Sequence, residues 1–195
     1  MIIGITGGSG CGKTTLLHEI QALGGLVLDC DAIYHTLLKK DFAMLGAIEA
    51  RFPGTVTDGS LDRKKLGAIV FADEKALLDL NRITHAAVKR EVLRQLEGEP
   101  SLAAIDAIGL FEGELAPLCD ITVAITAPRE NRITRLMARD GITREYAEKR
   151  LDAQKSEDWF RQHCDFTLEN DGTLGQFQAK CVAFLRKQVI MDSNP

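Results

Sequence analysis

The chain has 195 residues, 45% of them hydrophobic and 27% charged, with a formal net charge of −4. That length predicts one domain able to bury its own core, and the acidic balance argues against a nucleic-acid binder that relies on bulk positive charge. Cys11, Cys30, Cys119, Cys164 and Cys181 are scattered, odd in number and without metal-site spacing, which points to reduced thiols in a cytoplasmic protein.

Residues Met1 to Thr6, MIIGIT, form a short apolar run with β-branched residues, the pattern of a buried strand. A first strand at the very start leaves no signal peptide expected. No apolar run reaches the roughly 18–20 residues of a membrane helix, so no membrane partner is expected either.

Gly7 to Thr14, GGSGCGKT, follow the strand, and TLLHEIQAL follows them. Strand, glycine-rich turn and helix, with the spacing G-x-x-x-x-G-K-[ST], match a phosphate-binding loop. Such a loop turns successive N–H groups inward as an anion nest and adds the positive end of a helix. The residues predicted to hold ATP are therefore Gly8, Ser9, Gly10, Cys11, Gly12, Lys13, Thr14 and Thr15. Lys13 is predicted to reach the β- and γ-phosphates, and the Thr14 hydroxyl to ligate Mg²⁺.

A first helix from Lys13 to Leu23 should pack Leu16, Leu17, Ile20 and Leu23 on the sheet and stop at Gly24-Gly25. Leu26-Val27-Leu28 reads as the second strand, ending in Asp29-Cys30-Asp31. An acidic residue just past the carboxyl end of a parallel strand is placed for chemistry. One of the pair is expected to cap the following helix while the other does chemistry; Asp31 is the preferred catalytic carboxylate and Asp29 the alternative.

Residues 32–98 read as helical, with segments from Ala32 to Lys40, Phe42 to Arg51, Leu61 to Phe71 and Glu74 to Leu96. A turn at Thr57-Asp58-Gly59 interrupts them, with no strand expected. This region is the expected place for a second substrate, with basic residues such as Arg63 and His85 as candidate contacts.

Leu102 to Asp106 reads as the third strand, running on toward Glu112. Glu112 is the preferred carboxylate for Mg²⁺ water or substrate, and Asp106 the weaker, Walker-B-like alternative. Asp120 to Thr126 reads as the fourth, central strand. Pro128 opens a helix carrying Arg132, Arg135 and Arg139 that ends at Asp140-Gly141. Thr143 caps the next helix, Arg144 to Gln154. Two Arg-rich helices on a short turn suggest a lid, with Arg135 and Arg139 on one face. Phe166 to Leu168 is the fifth strand, Asn170-Asp171-Gly172 a turn, and Leu174 to Val189 a packing helix.

The pieces GITGGSGCGKTT, VLDCDAI, DGSLDRKKLGAIVF, LFE, RLMARDGITREYAEKRLDAQ and Asn170-Asp171-Gly172 together resemble the dephospho-coenzyme A kinase family over roughly residues 2–187. That family usually carries Leu-His-Pro where this chain has Thr84-His85-Ala86.

The resemblance implies transfer of the ATP γ-phosphate to the ribose 3′-hydroxyl of dephospho-coenzyme A. By it, Asp31 faces the acceptor hydroxyl, Arg135 or Arg139 meets the phosphates, and Asn170 sits by the adenine. Lys13, Asp31, Arg135 and Arg139 are then the catalytic set, with Asp31, Arg63, His85 and Glu112 toward the acceptor.

The expected fold is a single α/β P-loop kinase domain whose five parallel strands run in the order 2-3-1-4-5. Its core is residues 1–31, 99–127 and 155–195, its acceptor region 32–98 and its lid 128–154. Small-molecule substrates, no nucleic acid and a monomer are expected. The alternatives are another nucleoside or nucleotide kinase, or a nucleotide-binding switch; the switch is disfavoured because the chain has no N-K-x-D.

Overall fold

The computed structural model describes residues 1–190. The range expected for the core runs to residue 195, and its last five positions lie outside the described residues. The chain divides into two compact units. One holds residues 1–28, 100–110 and the chain from Leu115 onward; the other holds residues 29–99 and 111–114.

A five-stranded sheet carries the first unit, in the order β2-β5-β1-β6-β7. Its strands are β1 (Ile2–Thr6), β2 (Leu26–Asp29), β5 (Ala103–Asp106), β6 (Ile121–Thr126) and β7 (Phe166–Glu169). Counting only these five along the chain, the order is 2-3-1-4-5, as the sequence predicts. β1 lies centrally, pairing in parallel with β5 (Ile3 opposite Ala104) and with β6 (Ile3 opposite Ile121). A strand flanked on both sides and covered on both faces must be apolar throughout, and Ile3, Ile5, Val123 and Ile125 are fully buried.

Helices α1 (Lys13–Ala22) and α9 (Leu174–Leu185) cover one core, where Leu16, Leu17 and Ile20 meet Phe177, Cys181 and Phe184. Leu23 does not join them. The helix ends at Ala22 and Leu23 becomes its C-cap, 51% exposed. The chain therefore leaves the 3.6-residue period one residue before that leucine.

The expected Arg-rich pair forms as α6 (Arg129–Asp140) and α7 (Arg144–Asp152). They pack through Ile133, Leu136, Ala147 and Leu151, and the Thr143 hydroxyl accepts from the Tyr146 N–H at 3.3 Å. Helix α8 (Glu157–His163) follows, capped by Ser156; at seven residues it is too short for its apolar periodicity to stand out in the sequence. A π-helical turn, Arg186–Ile190, continues α9.

The second unit packs α2 (Cys30–Lys40), α3 (Phe42–Arg51), α4 (Arg63–Val70) and α5 (Glu74–Leu96) around Met44, Ile48, Phe52, Leu66 and Val70. The sequence reading expected no strand here, yet β3 (Val56–Thr57) and β4 (Ser60–Leu61) pair antiparallel. Asp58 and Gly59 between them have φ of 51° and 72°, the positive values that a two-residue hairpin turn demands and that Asp-Gly supplies. Two-residue strands are too short to show alternation, so only the turn was visible.

Candidate active site

Gly7 to Gly12 leave the carboxyl end of β1 and deliver the chain into α1. Gly12 is the N-cap, at φ 98°, and no side chain caps the helix. A β-carbon there would be strained by that φ and would collide with the Asn170 side-chain amide. The first N–H groups of α1 therefore keep no side-chain acceptor, the arrangement that suits an anion.

Lys13 lies back along the loop. Its Nζ donates to the Gly7 carbonyl at 3.3 Å and stands 3.8 Å from Asp106 Oδ1 at the end of β5. Thr14 is exposed and Thr15 half-buried in the first turn of α1. Cys11 is buried, 1% exposed, and burial pushes its thiol pKa up. Burial likewise raises Cys164 to about 11 and Cys119 and Cys181 to about 12. All five cysteines are free thiols, and raised pKa values make those four poor nucleophiles.

The loop's outer side is held by other elements. Arg132 Nε donates to the Ser9 carbonyl at 3.0 Å. Arg135 Nη1 donates to the Gly10 carbonyl at 3.1 Å, and its Nη2 to Asn170 Oδ1 at 3.2 Å. Asn170, 5% exposed, donates from Nδ2 to the Cys11 carbonyl at 2.9 Å. Arg139, by contrast, donates through Nε and Nη2 to Asp140, at 2.7 and 2.9 Å. Arg135 and Arg139 share a helix face in sequence, but only Arg135 is brought to the loop.

In the second unit, Asp29 is the N-cap of α2, its Oδ1 accepting from the Ala32 N–H at 3.0 Å. Asp31 lies exposed in the first turn of α2 and does not serve as the cap. Arg63 opens α4; burial pushes the Tyr34 hydroxyl pKa up, and the Arg63 charge opposes that shift. His85 Nδ1 lies 3.1 Å from the Glu112 carbonyl, and Lys89 Nζ donates to Glu114 Oε2 at 2.9 Å. These residues line an open concavity of about 830 Å³ along α5 with Arg82, Arg90 and Arg94.

For Mg²⁺ the donor chemistry is the test. Among the described residues no three His, Cys, Asp or Glu side chains gather to hold a metal. Mg²⁺ bound with a nucleotide needs no such cage, since it takes one or two protein oxygens and keeps phosphate and water oxygens. The Thr14 hydroxyl beside the loop fits that demand.

A family model described as dephospho-CoA kinase matches residues 1–176. The chain belongs to the dephospho-CoA kinase family. A dephospho-CoA kinase of Anaeromyxobacter dehalogenans is 40% identical over 178 residues, covering 88% of this chain and 84% of that one. One from Latilactobacillus sakei is 32% identical over 183 residues, 91% of each chain. A crystal structure from Thermus thermophilus superposes with a TM-score of 0.80 at 33% identity, covering 96% of this chain and 97% of that one. The dephospho-CoA kinase of Campylobacter jejuni gives 0.69 at 27%, with 98% of each covered. Shikimate kinase from Acinetobacter baumannii, 20% identical with a TM-score of 0.57 and covering 100% of this chain and 95% of that one, shares the P-loop kinase fold alone.

Within this dephospho-CoA kinase fold, three loop contacts escaped the sequence reading. Asp106 was ranked below Glu112, yet it is Asp106 that stands by Lys13. Arg132 was one arginine among three, and Gln154 only a helix end. The signal for Arg132 was its spacing, three residues before Arg135 and so on the same helical face.

Proposed function

We propose that this protein transfers the γ-phosphate of ATP to the ribose 3′-hydroxyl of dephospho-coenzyme A, releasing coenzyme A and ADP. The observation that carries the reading is the loop itself. In a chain of this family, uncapped α1 N–H groups and Lys13 converge where β1 ends.

In this reading the loop from Gly8 to Thr15 surrounds the ATP phosphates and holds them through Lys13 and loop N–H groups such as those of Gly10 and Gly12, and Asn170 belongs to the nucleotide side. Thr14 holds Mg²⁺, which when bound neutralises phosphate charge. Asp31 orients the acceptor hydroxyl and takes its proton. Arg135 and Arg139 supply lid cations, whose planar guanidinium matches phosphate oxygens. Arg63, His85 and Glu112 serve the acceptor, together with the cation-rich concavity along α5. Catalysis is then mainly positioning and electrostatics.

In organisational terms we read residues 32–98 as the acceptor region and 128–154 as the lid of one kinase domain. We read the protein as a cytoplasmic monomer acting on small molecules. No described helix is long and apolar enough to cross a membrane.

The test is ADP release with ATP and Mg²⁺, with and without dephospho-coenzyme A and beside a panel of nucleosides and nucleotides. Strong dependence on dephospho-coenzyme A is expected. Release driven better by another acceptor would make it a different small-molecule kinase, and acceptor-independent release would remove the kinase reading.

A further inference from the structure

We propose that Arg132 and Gln154 are positioning residues that hold the Ser9 peptide groups and thereby aim the phosphate loop. Gln154 Oε1 accepts from the Ser9 N–H at 2.9 Å and from Arg132 Nη2 at 3.1 Å. Its Nε2 donates to Ser9 Oγ at 2.7 Å. Arg132 Nε donates to the Ser9 carbonyl at 3.0 Å. One loop residue is thus held at its N–H, its C=O and its hydroxyl by two side chains, one from α6 and one from just past the end of α7.

Arg132 is only 7% exposed. Burying a charge is costly unless it is hydrogen-bonded and paired, and its other partner is Glu157 at 3.6 Å. A salt bridge serving only the fold would not need to reach the loop backbone. The loop sequence also makes room for it. A β-carbon on Gly8 would land on the Arg132 guanidinium, and one on Gly10 would lie 2.8 Å from the Arg132 carbonyl. Gly8 and Gly10 are therefore glycines for α6 as much as for a ligand.

The consequence follows from peptide geometry. In a planar trans peptide the C=O of one residue and the N–H of the next point in opposite directions. Arg132 on the Ser9 carbonyl therefore turns the Gly10 N–H away from α6. Asn170 on the Cys11 carbonyl does the same for the Gly12 N–H. N–H groups fixed before the ligand arrives need no reorganisation when it binds, which is the basis of preorganised electrostatic stabilisation.

This inference rests on reading the loop as the ATP phosphate site, and the experiment separates the two. The full chain and its Arg132→Lys, Gln154→Met, double and Lys13→Ala variants are titrated with inorganic tripolyphosphate, well below each melting temperature. Arg132→Lys keeps the charge and loses the fork; Gln154→Met keeps the length and loses the hydrogen bonds. Each single variant should weaken tripolyphosphate about tenfold or more. The double should be no worse than the worse single, because both act through one network. A bond that only stabilises the fold leaves the Kd of fully folded protein unchanged, and that result in both singles overturns the proposal. If Arg132→Lys does not fold, Gln154→Met, two residues beyond α7, decides alone. Tripolyphosphate binding that ignores Lys13→Ala overturns the loop reading and this proposal with it. Binding that needs Lys13 but neither Arg132 nor Gln154 overturns this proposal only.

Discussion

Lys13 Nζ stands 3.8 Å from Asp106 Oδ1, with the two side chains only 14% and 16% exposed. A half-desolvated ammonium needs an opposite charge nearby, and Asp106 supplies it from the end of the strand next to β1. The pairing explains how a flexible four-carbon side chain is kept over the loop. It also gives Asp106 a reason to be where it is without assigning it a proton.

Two variants check that relationship. Lys13→Ala should leave the fold intact and cut turnover about 10²–10³-fold or more, the size of a lost donor at developing charge. Asp106→Asn should fall in the same direction by a smaller factor, about tenfold or more, because Lys13 loses the counter-charge that helps to hold it over the loop. Near-normal turnover in folded Lys13→Ala protein would take the loop out of the mechanism.

The two aspartates where β2 passes into α2 separate by different observables. Asp29 caps α2, and Asn caps as well as Asp, so Asp29→Asn should keep its melting temperature while Asp29→Ala loses about 1 kcal/mol. Asp31 is not the cap, so Asp31→Asn should leave stability alone and lower turnover about 10²–10⁴-fold, the range for a positioned acid–base group. A turnover collapse in Asp29→Asn with full activity in Asp31→Asn would mean the roles are reversed.

Much of this was legible because it is written in local pattern. Ile3, Ile5, Val123 and Ile125 read as buried strands, and the loop at Gly7 to Thr14 reads from its spacing together with the strand before it and the helix after it. Thr143 reads as a cap because such a side chain satisfies helix N–H groups two or three residues on, whereas the pattern offers Asp29 and Asp31 alike and only the structure picks Asp29. What was hidden depends on partners far away in sequence. Asp106 gains its interest only when β5 is laid beside β1, and Gln154 only when the chain just past α7, 145 residues from Ser9 in sequence, is laid against it. Arg135 and Arg139 share a face by periodicity, but periodicity does not say which one meets the loop and which one meets Asp140. The short β3–β4 hairpin showed only its Asp-Gly turn, and α8 was too brief to stand out.

Acid stability offers a test at the sheet edge. Asp165 Oδ2 accepts from both the hydroxyl and the N–H of Thr122, each at 2.7 Å. The Thr122 hydroxyl first, and its N–H second, hold this carboxyl below its ordinary pKa. A carboxyl depressed in the folded state contributes its stability above the unfolded value, about 3.9, and loses it as pH falls through the folded value. Asp165→Asn should therefore melt below the wild type at pH 7, by about 1 kcal/mol since the group is exposed and screened. The gap should narrow below about pH 4 as the wild-type carboxyl gains its proton. A gap that is constant from pH 7 to 3 would mean the charge does not contribute.

Arg135 and Arg139, the arginines of the proposed lid, are distinguished by what each must give up. Arg139 pairs with its own neighbour Asp140 and is 59% exposed; such screened surface pairs contribute little, so its guanidinium could exchange that carboxylate for a phosphate at little cost. Arg135 is committed to the Gly10 carbonyl and to Asn170, and leaving them would strand a loop carbonyl and a buried amide. Arg139→Ala should accordingly leave the melting temperature nearly unchanged while lowering single-turnover phosphoryl transfer. Arg135→Ala should lower both, with a stability loss of about 1–3 kcal/mol from the abandoned buried acceptors. A nucleotide analogue should also protect residues 132–154 from proteolysis in the wild type, since a lid that engages phosphate closes over it. Wild-type turnover in Arg139→Ala would deny that arginine any phosphate contact. An unchanged melting temperature in Arg135→Ala would show that its bonds to the loop are surface contacts without weight, leaving its guanidinium as available to phosphate as that of Arg139.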